Sequence, residues 1–153
     1  MQIKISDDYE LLARLNKHVH DIHVGLNPEL VKPHDYEAFK DFFKGIIHKE
    51  NYLFLLAEEA GEAIGYAWLE VKEYPENPFK YGYKALYVHQ ISINQAYRNG
   101  GYGTKLMDKI ETLAEERGLT RVELDYWAEN VDAAAFYEKR GFLQNKVFVH
   151  KEV

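Results

Sequence analysis

The segment Tyr87-Val-His-Gln-Ile-Ser-Ile-Asn-Gln-Ala-Tyr-Arg-Asn-Gly-Gly-Tyr-Gly103 constrains this chain more than any other. It begins as an apolar, β-branched run and passes into a turn carrying Arg98, Gly100, Gly101 and Gly103. An amphipathic helix then begins near Thr104. A strand that delivers a glycine-rich turn to a helix N-terminus makes an anion site. Glycines let the backbone curl, several N–H groups converge, and the helix dipole adds partial positive charge. Arg98 contributes a full charge on a fork suited to phosphate oxygens. The chain reads as one built around a phosphate-bearing ligand.

Spacing narrows the ligand. A Walker A loop needs Gly-x4-Gly-Lys-Ser/Thr, and no frame through these glycines supplies it. The dinucleotide fingerprint asks for a third glycine three residues beyond Gly103, where Leu106 stands. What is present is Arg98-x-x-Gly101-x-Gly103. Capping glycines in a plain strand-to-helix turn would look the same, so the rest of the chain has to decide.

At 153 residues the chain suits one domain, 1–153, with a sizeable core. A net charge of −6, from 19 basic and 25 acidic residues, argues against a nucleic-acid partner and suits a cationic one. The absence of cysteine excludes disulfides, thiolate metal sites and a cysteine nucleophile. No apolar run approaches membrane-spanning length and no signal-peptide pattern opens the chain, so a cytoplasmic protein without membrane contact is expected. With twelve tyrosines, some are expected to line a pocket.

In order, Gln2–Ile5 alternates as a short strand, and Asp7 or Asp8 can cap the helix carrying Leu11, Leu12, Leu15, His18, Val19 and Ile22 on one face. His18, His20 and His23 make no metal set, because only two can share a face and no carboxylate completes them. Asp35 caps a second helix with Phe39, Phe42, Phe43, Ile46 and Ile47 in a stripe. Tyr52–Ala57 is a strand buried on both faces, and Ala63–Val71 returns as its hairpin partner. The proline-marked segment from Tyr74 to Gly82 is a loop of the kind that often carries function. Lys84–Ile93 is the central strand. After the glycine turn comes a helix stopped by Gly118, then an alternating strand Arg121–Trp127. A helix Ala133–Arg140 closed by Gly141 and a final strand Val147–Val149 follow. The order β-α-α-β-β-β-α-β-α-β describes one α/β (α+β) domain around a mixed sheet.

The glycine turn resembles the pyrophosphate loop of the GCN5-related N-acetyltransferases (GNAT). Asn130-x-x-Ala133-Ala-Ala-Phe-Tyr137-Glu-Lys-Arg-Gly141-Phe142 resembles that family's closing motif. Two motifs in this order, separated by a helix and a strand, are far more specific than either alone, and the likeness covers nearly the whole chain. It implies the acyl-CoA N-acyltransferase fold, with a splayed parallel pair, Tyr87–Ile93 and Arg121–Trp127, and acetyl-coenzyme A as cosubstrate. By the same likeness, backbone groups of Ile91, Ser92 and Ile93 meet pantetheine, and one N–H polarises the thioester carbonyl. N–H groups of Asn99, Gly100, Gly101, Tyr102 and Gly103, with Thr104 and Arg98, hold the pyrophosphate, and Asn130 touches pantetheine. Some members of the family pair as dimers, so a homodimer is open to this chain.

The implied chemistry moves two protons. An amine with pKa near 10 must lose one before it attacks. Tyr137 matches the family's acid tyrosine, able to donate a proton to the departing thiolate or to stabilise it. Polyamine acetyltransferases carry a Glu-Asp pair where this chain has His89-Gln90. His89 can take the amine proton, with Glu123 and Asp125 on the facing strand as fallback candidates. Without cysteine, direct attack in a ternary complex is the expected route to acetylating a primary amine. Candidate acceptors are a small cationic amine, an aminoglycoside-like compound, an amino acid or a protein amine. The alternatives are a non-catalytic acyl-coenzyme A sensor and, more distantly, a nucleotide-binding regulatory domain.

Overall fold

A computed structural model describes residues 1–153 and turns the periodicities into five strands and four α-helices. In chain order these are β1 (Gln2–Ile5), α1 (Tyr9–Leu26), α2 (Tyr36–Ile46), β2 (Tyr52–Glu59), β3 (Glu62–Tyr74) and β4 (Tyr83–Ile93). A 3-10 turn at Gln95–Tyr97 follows, then α3 (Tyr102–Glu116), β5 (Val122–Leu124) and α4 (Val131–Lys139). The caps are those the sequence offers. Asp8 accepts from Leu11 N at 3.0 Å and Asp35 from Ala38 N at 3.2 Å, each satisfying a first-turn donor.

The sheet runs β1-β2-β3-β4-β5, antiparallel except for the parallel pair β4–β5. Strand alternation sends Phe54, Leu56 and Tyr66 to one face, where Leu12, Leu15, Phe43 and Ile46 of α1 and α2 cover them. Leu55, Ala67, Leu69, Leu86 and Val88 face the other way, under Leu106, Met107, Ile110 and Leu113 of α3. Both cores follow from period 2 in the strands meeting period 3.6 in the helices.

Two expected strands differ. The alternating stretch Arg121–Trp127 forms a strand only at Val122–Leu124, because β4 stays beside it for three residue pairs and then diverges. Val147–Val149 is not a strand. Residues 143–153 carry no regular structure and all stand exposed. The segment between Tyr74 and Gly82 links β3 to β4, at the opposite end of β4 from the glycine turn. The 11-residue strand puts about 30 Å between those ends.

A buried polar seam joins α1 to β4. Asn16, fully buried, donates to Tyr66 Oη and to Gln90 Oε1, each at 2.9 Å. Ser92 Oγ, also buried, donates to the Leu15 carbonyl at 2.7 Å. Asn16→Ala removes the donor to Tyr66 Oη and one of the two donors to Gln90 Oε1, the other being the Tyr66 hydroxyl, and should lower unfolding free energy by about 1–3 kcal/mol. Urea denaturation checks this, and an unchanged midpoint would show the seam to be dispensable.

Candidate functional site

The site grows from the divergence of β4 and β5. They pair at Leu86–Val122, Tyr87–Glu123 and Val88–Leu124 and then separate. On its other edge β4 stays bound to β3, with Ile91 opposite Ala67, Ser92 opposite Tyr66 and Ile93 opposite Gly65. Gly65 is required there, since a Cβ would lie 2.4 Å from the Ser92 carbonyl oxygen. The register slips by one residue at His89, because Trp68 faces Gln90 while Leu69 faces Val88. This bulge lets the strand bend away from β5. Ile91 and Ile93 therefore border the opening with no strand beside them on the β5 side.

Directly beyond Ile93, Asn94 caps the 3-10 turn, accepting from Ala96 N at 3.0 Å. Asn99 takes φ +63° and Gly101 φ +79°, so the chain curls left-handed into α3. Gly101 is the N-cap and no side chain caps the helix. None of the backbone N–H groups from Asn99 to Thr104 donates a hydrogen bond within the chain. The result is a run of convergent donors at a positive helix end. Thr104, Phe136, Lys139 and Arg140 line a cleft of about 440 Å³ beside it.

Arg98 differs from expectation. Its guanidinium points inward, donating to the His18 carbonyl at 2.7 Å and the Ile93 carbonyl at 3.3 Å, so it ties α1 to the end of β4. Ser92 is likewise engaged through its hydroxyl, and Asn130 caps α4 by accepting from Ala133 N at 3.1 Å. Tyr102 stacks edge-on against Tyr97.

Tyr137 projects from α4 into the α3-side core with Ile91, Ile93 and Leu124. It stacks on Tyr126 at 5.9 Å and meets the edges of Phe136 and Phe142. Burial alone pushes its phenol up to about 12. Arg140 fixes that helix, donating to Asp108 at 2.7 Å and Glu111 at 2.9 Å on α3.

His89 lies on the opposite face of the sheet. Its Nε2 is 2.8 Å from Glu70 Oε1, and its ring stacks on Trp68 at 4.3 Å with Tyr52 and Tyr87 edge-on. Tyr87 donates to Asp125. Glu123 accepts from Tyr74 at 2.8 Å, Tyr83 at 2.9 Å and Arg121 at 2.6 Å. Burial pushes the Glu123 carboxyl up, but these donors outweigh it and hold it below the usual carboxylate range. His23 of α1, kept neutral chiefly by burial, feels the charge of Asp125. Lys72 hovers 4.7 Å over the Tyr87 ring, so this acidic, aromatic face already accommodates one cation. Glu70 and His23 carried no motif. The signal that could have found Glu70 is a lone carboxylate inside an apolar hairpin strand, across from His89.

A mixed sheet that parts beside a glycine-curled helix start defines an acyltransferase-like α+β class. The chain belongs to the acetyltransferase (GNAT) family, whose sequence profile matches residues 16–142. A mycothiol acetyltransferase of Amycolatopsis mediterranei is 33% identical over 97 residues, covering 63% of this chain and 32% of that protein. The tetramutant of the BH1408 protein from Bacillus halodurans shares the fold with a TM-score of 0.92 at 22% identity, covering 100% of both chains. The aminoglycoside 6'-N-acetyltransferase AAC(6')-IG from Acinetobacter haemolyticus gives 0.71 at 19% identity, covering 100% of this chain and 99% of its own. These two structures speak for the fold. The matches span between 32% and 46% of the length of the first curated relatives.

Because Glu123 is held below its unfolded value, its contribution is present above the unfolded carboxyl pKa and is lost as pH falls through the folded one. Wild type should therefore lose more thermal stability than Glu123→Gln on acidification below about pH 5. Parallel melting curves that converge as pH falls are the expected result.

Proposed function

We propose that this protein is an acetyl-coenzyme A-dependent N-acetyltransferase that acetylates a primary amine by direct attack in a ternary complex, with 1–153 as its one catalytic domain. The observation that carries the reading is the run of unengaged N–H groups from Asn99 to Thr104, continuous with the open edge of β4 at Ile91 and Ile93. Those donors fit a pyrophosphate, with Lys139 at the cleft mouth adding charge. The Arg98 guanidinium supports the turn from behind, and the backbone edge of Ile91 to Ile93, together with the side-chain NH2 of Asn130, fits a pantetheine arm.

Acetyl-coenzyme A, when bound, supplies an electrophilic thioester carbonyl and a thiolate leaving group. An Ile91 or Ile93 N–H at the open edge is suited to polarise that carbonyl. His89, held by Glu70 and Trp68, takes the proton from the attacking amine nitrogen as the new C–N bond forms. Tyr137, on the α3 side of the sheet, would meet the charge that a departing thiolate carries. A phenol at about 12 opposed to a thiol near 8.5 makes full proton transfer uphill by about 5 kcal/mol. Tyr137 therefore acts by donating a hydrogen bond to the thiolate. Base and donor lie on opposite faces of the sheet, so the two proton sites do not compete.

For the acceptor, Glu70, Asp125 and Glu123 among Tyr52, Trp68 and Tyr87 favour a small cationic amine, aminoglycoside-like compounds included. A cytoplasmic setting accords with the cofactor supply.

Acetyl-coenzyme A should raise the melting temperature where ATP and NAD do not. A rise with ATP instead would sink the cleft assignment. Tyr137→Phe should lower kcat for coenzyme A release by about 10²-fold with cofactor binding retained. Equal rates would instead favour a non-catalytic acyl-coenzyme A sensor.

A further inference from the structure

His89 and Gln90 follow one another on a strand, yet both side chains lie on the same face of the sheet. In a regular strand they would point to opposite faces. The bulge removes that alternation. Trp68 pairs with Gln90 and Leu69 with Val88, which leaves His89 as the extra residue. His89 stacks on Trp68 and meets Glu70, while Gln90 meets Tyr66. Tyr66, Trp68 and Glu70 share one face of β3 at period two, the face covered by α1 and α2.

Each of the two side chains is locked through one polar atom and open at the other. A carboxylate can only accept, so His89 Nε2 carries the hydrogen of its 2.8 Å contact with Glu70, and Nδ1 is the ring nitrogen left open. Gln90 Oε1 accepts from Asn16 Nδ2 at 2.9 Å and from the Tyr66 hydroxyl. Burial holds the Tyr66 phenol far above its ordinary range, so it remains a donor. Turning both amides over would bury the two hydrogens of Asn16 Nδ2 without an acceptor. As they stand, Asn16 lacks a partner only at its carbonyl oxygen, which is the milder loss. The NH2 group of Gln90 is therefore the outward end. It has no partner within the chain and, unlike the Asn16 oxygen, is not sealed from solvent.

A base and a fixed pair of N–H donors thus stand side by side. The charged groups around them, Glu70, Glu123 and Asp125, are acceptors. Gln90 is the exception, and its NH2 cannot bond an ammonium, because both are donors. We propose that Gln90 is a specificity-determining residue whose NH2 group binds an oxygen close to the reacting amine of the acceptor. The class is a primary amine with an ether, hydroxyl or carbonyl oxygen two carbons away, as in amino alcohols, amino sugars and amino acid amides. Unbranched polyamines offer only nitrogens, which are protonated at neutral pH and meet the NH2 group with like polarity. This inference rests on the acetyl-transfer reading and narrows its acceptor. Water can solvate a half-buried NH2 group when the oxygen is missing, so the discrimination is about tenfold rather than the several decades of a sealed site.

Methoxyethylamine and butylamine have the same chain length and differ in one oxygen. The ratio of their kcat/KM values should favour methoxyethylamine about tenfold more in wild type than in Gln90→Leu. Comparing the two enzymes cancels the intrinsic reactivities of the amines. Gln90→Glu keeps the oxygen that Asn16 and Tyr66 hold and replaces the NH2 group by a second oxygen. Its fold should be retained and its preference should move toward spermidine. An identical ratio in wild type and both variants overturns the proposal. Binding separates the proposal from the reading it rests on. Without coenzyme A, the NMR signals of the Gln90 NH2 group, assigned by their absence from Gln90→Glu, should shift on titration with methoxyethylamine or glycinamide and stay fixed with butylamine. Such a shift without acetylation of any amine would sink acetyl transfer and leave the oxygen subsite standing. No shift with either oxygenated amine, or an equal one with butylamine, overturns the subsite.

Discussion

The second half of β4 is held from one side only, and most of the site depends on that asymmetry. From His89 onward β5 no longer runs beside it, so the strand keeps its hydrogen bonds to β3 and gains ties to α1. Asn16 meets Gln90, the Leu15 carbonyl takes the Ser92 hydroxyl, and Arg98 reaches back to His18. Without such ties a strand with one free edge would be pulled toward the neighbouring strand, closing the opening. Buried side-chain hydrogen bonds are directional, so they fix position where apolar packing alone would permit a slide. The stability of the seam and the openness of the cleft thus have the same cause.

The sheet also serves as a partition. Its two faces bury separate apolar clusters, and the candidate groups follow that division, Tyr137 with the α3-side core and His89 with the aromatic stripe under α1 and α2. Aromatic packing orients His89 as much as hydrogen bonding does. Trp68 fixes the plane of the ring, and Glu70 then selects the direction in which Nε2 points.

Elements that bury a stripe were legible in the sequence. The apolar spacing of α1, α2 and α3, the two-sided burial of β2, and the caps Asp8 and Asp35 all follow from local pattern. So did the glycine turn, because φ near +79° at Gly101 is a demand that few residue types meet. What was not legible depends on neighbours. Arg121–Trp127 has the alternation of a strand, but alternation records which faces are apolar and not how far another strand runs alongside. Val147–Val149 misleads in the same way. The inward turn of Arg98 depends on the His18 carbonyl, eighty residues away, and the contact of Glu70 with His89 on a bulge that shifts register by one.

The two halves of β4 have opposite electrostatic character. At its C-terminal end, unengaged N–H groups and the start of α3 present positive potential. Nearer its N-terminal end, Glu70, Glu123 and Asp125 gather, with tyrosine hydroxyls donating to the latter two. A net charge of −6 on the whole chain conceals this local inversion. An anionic group is favoured at one end and a cationic group at the other. Competition between them for the same subsite is thereby disfavoured. The opening between β4 and β5 lies between these two ends.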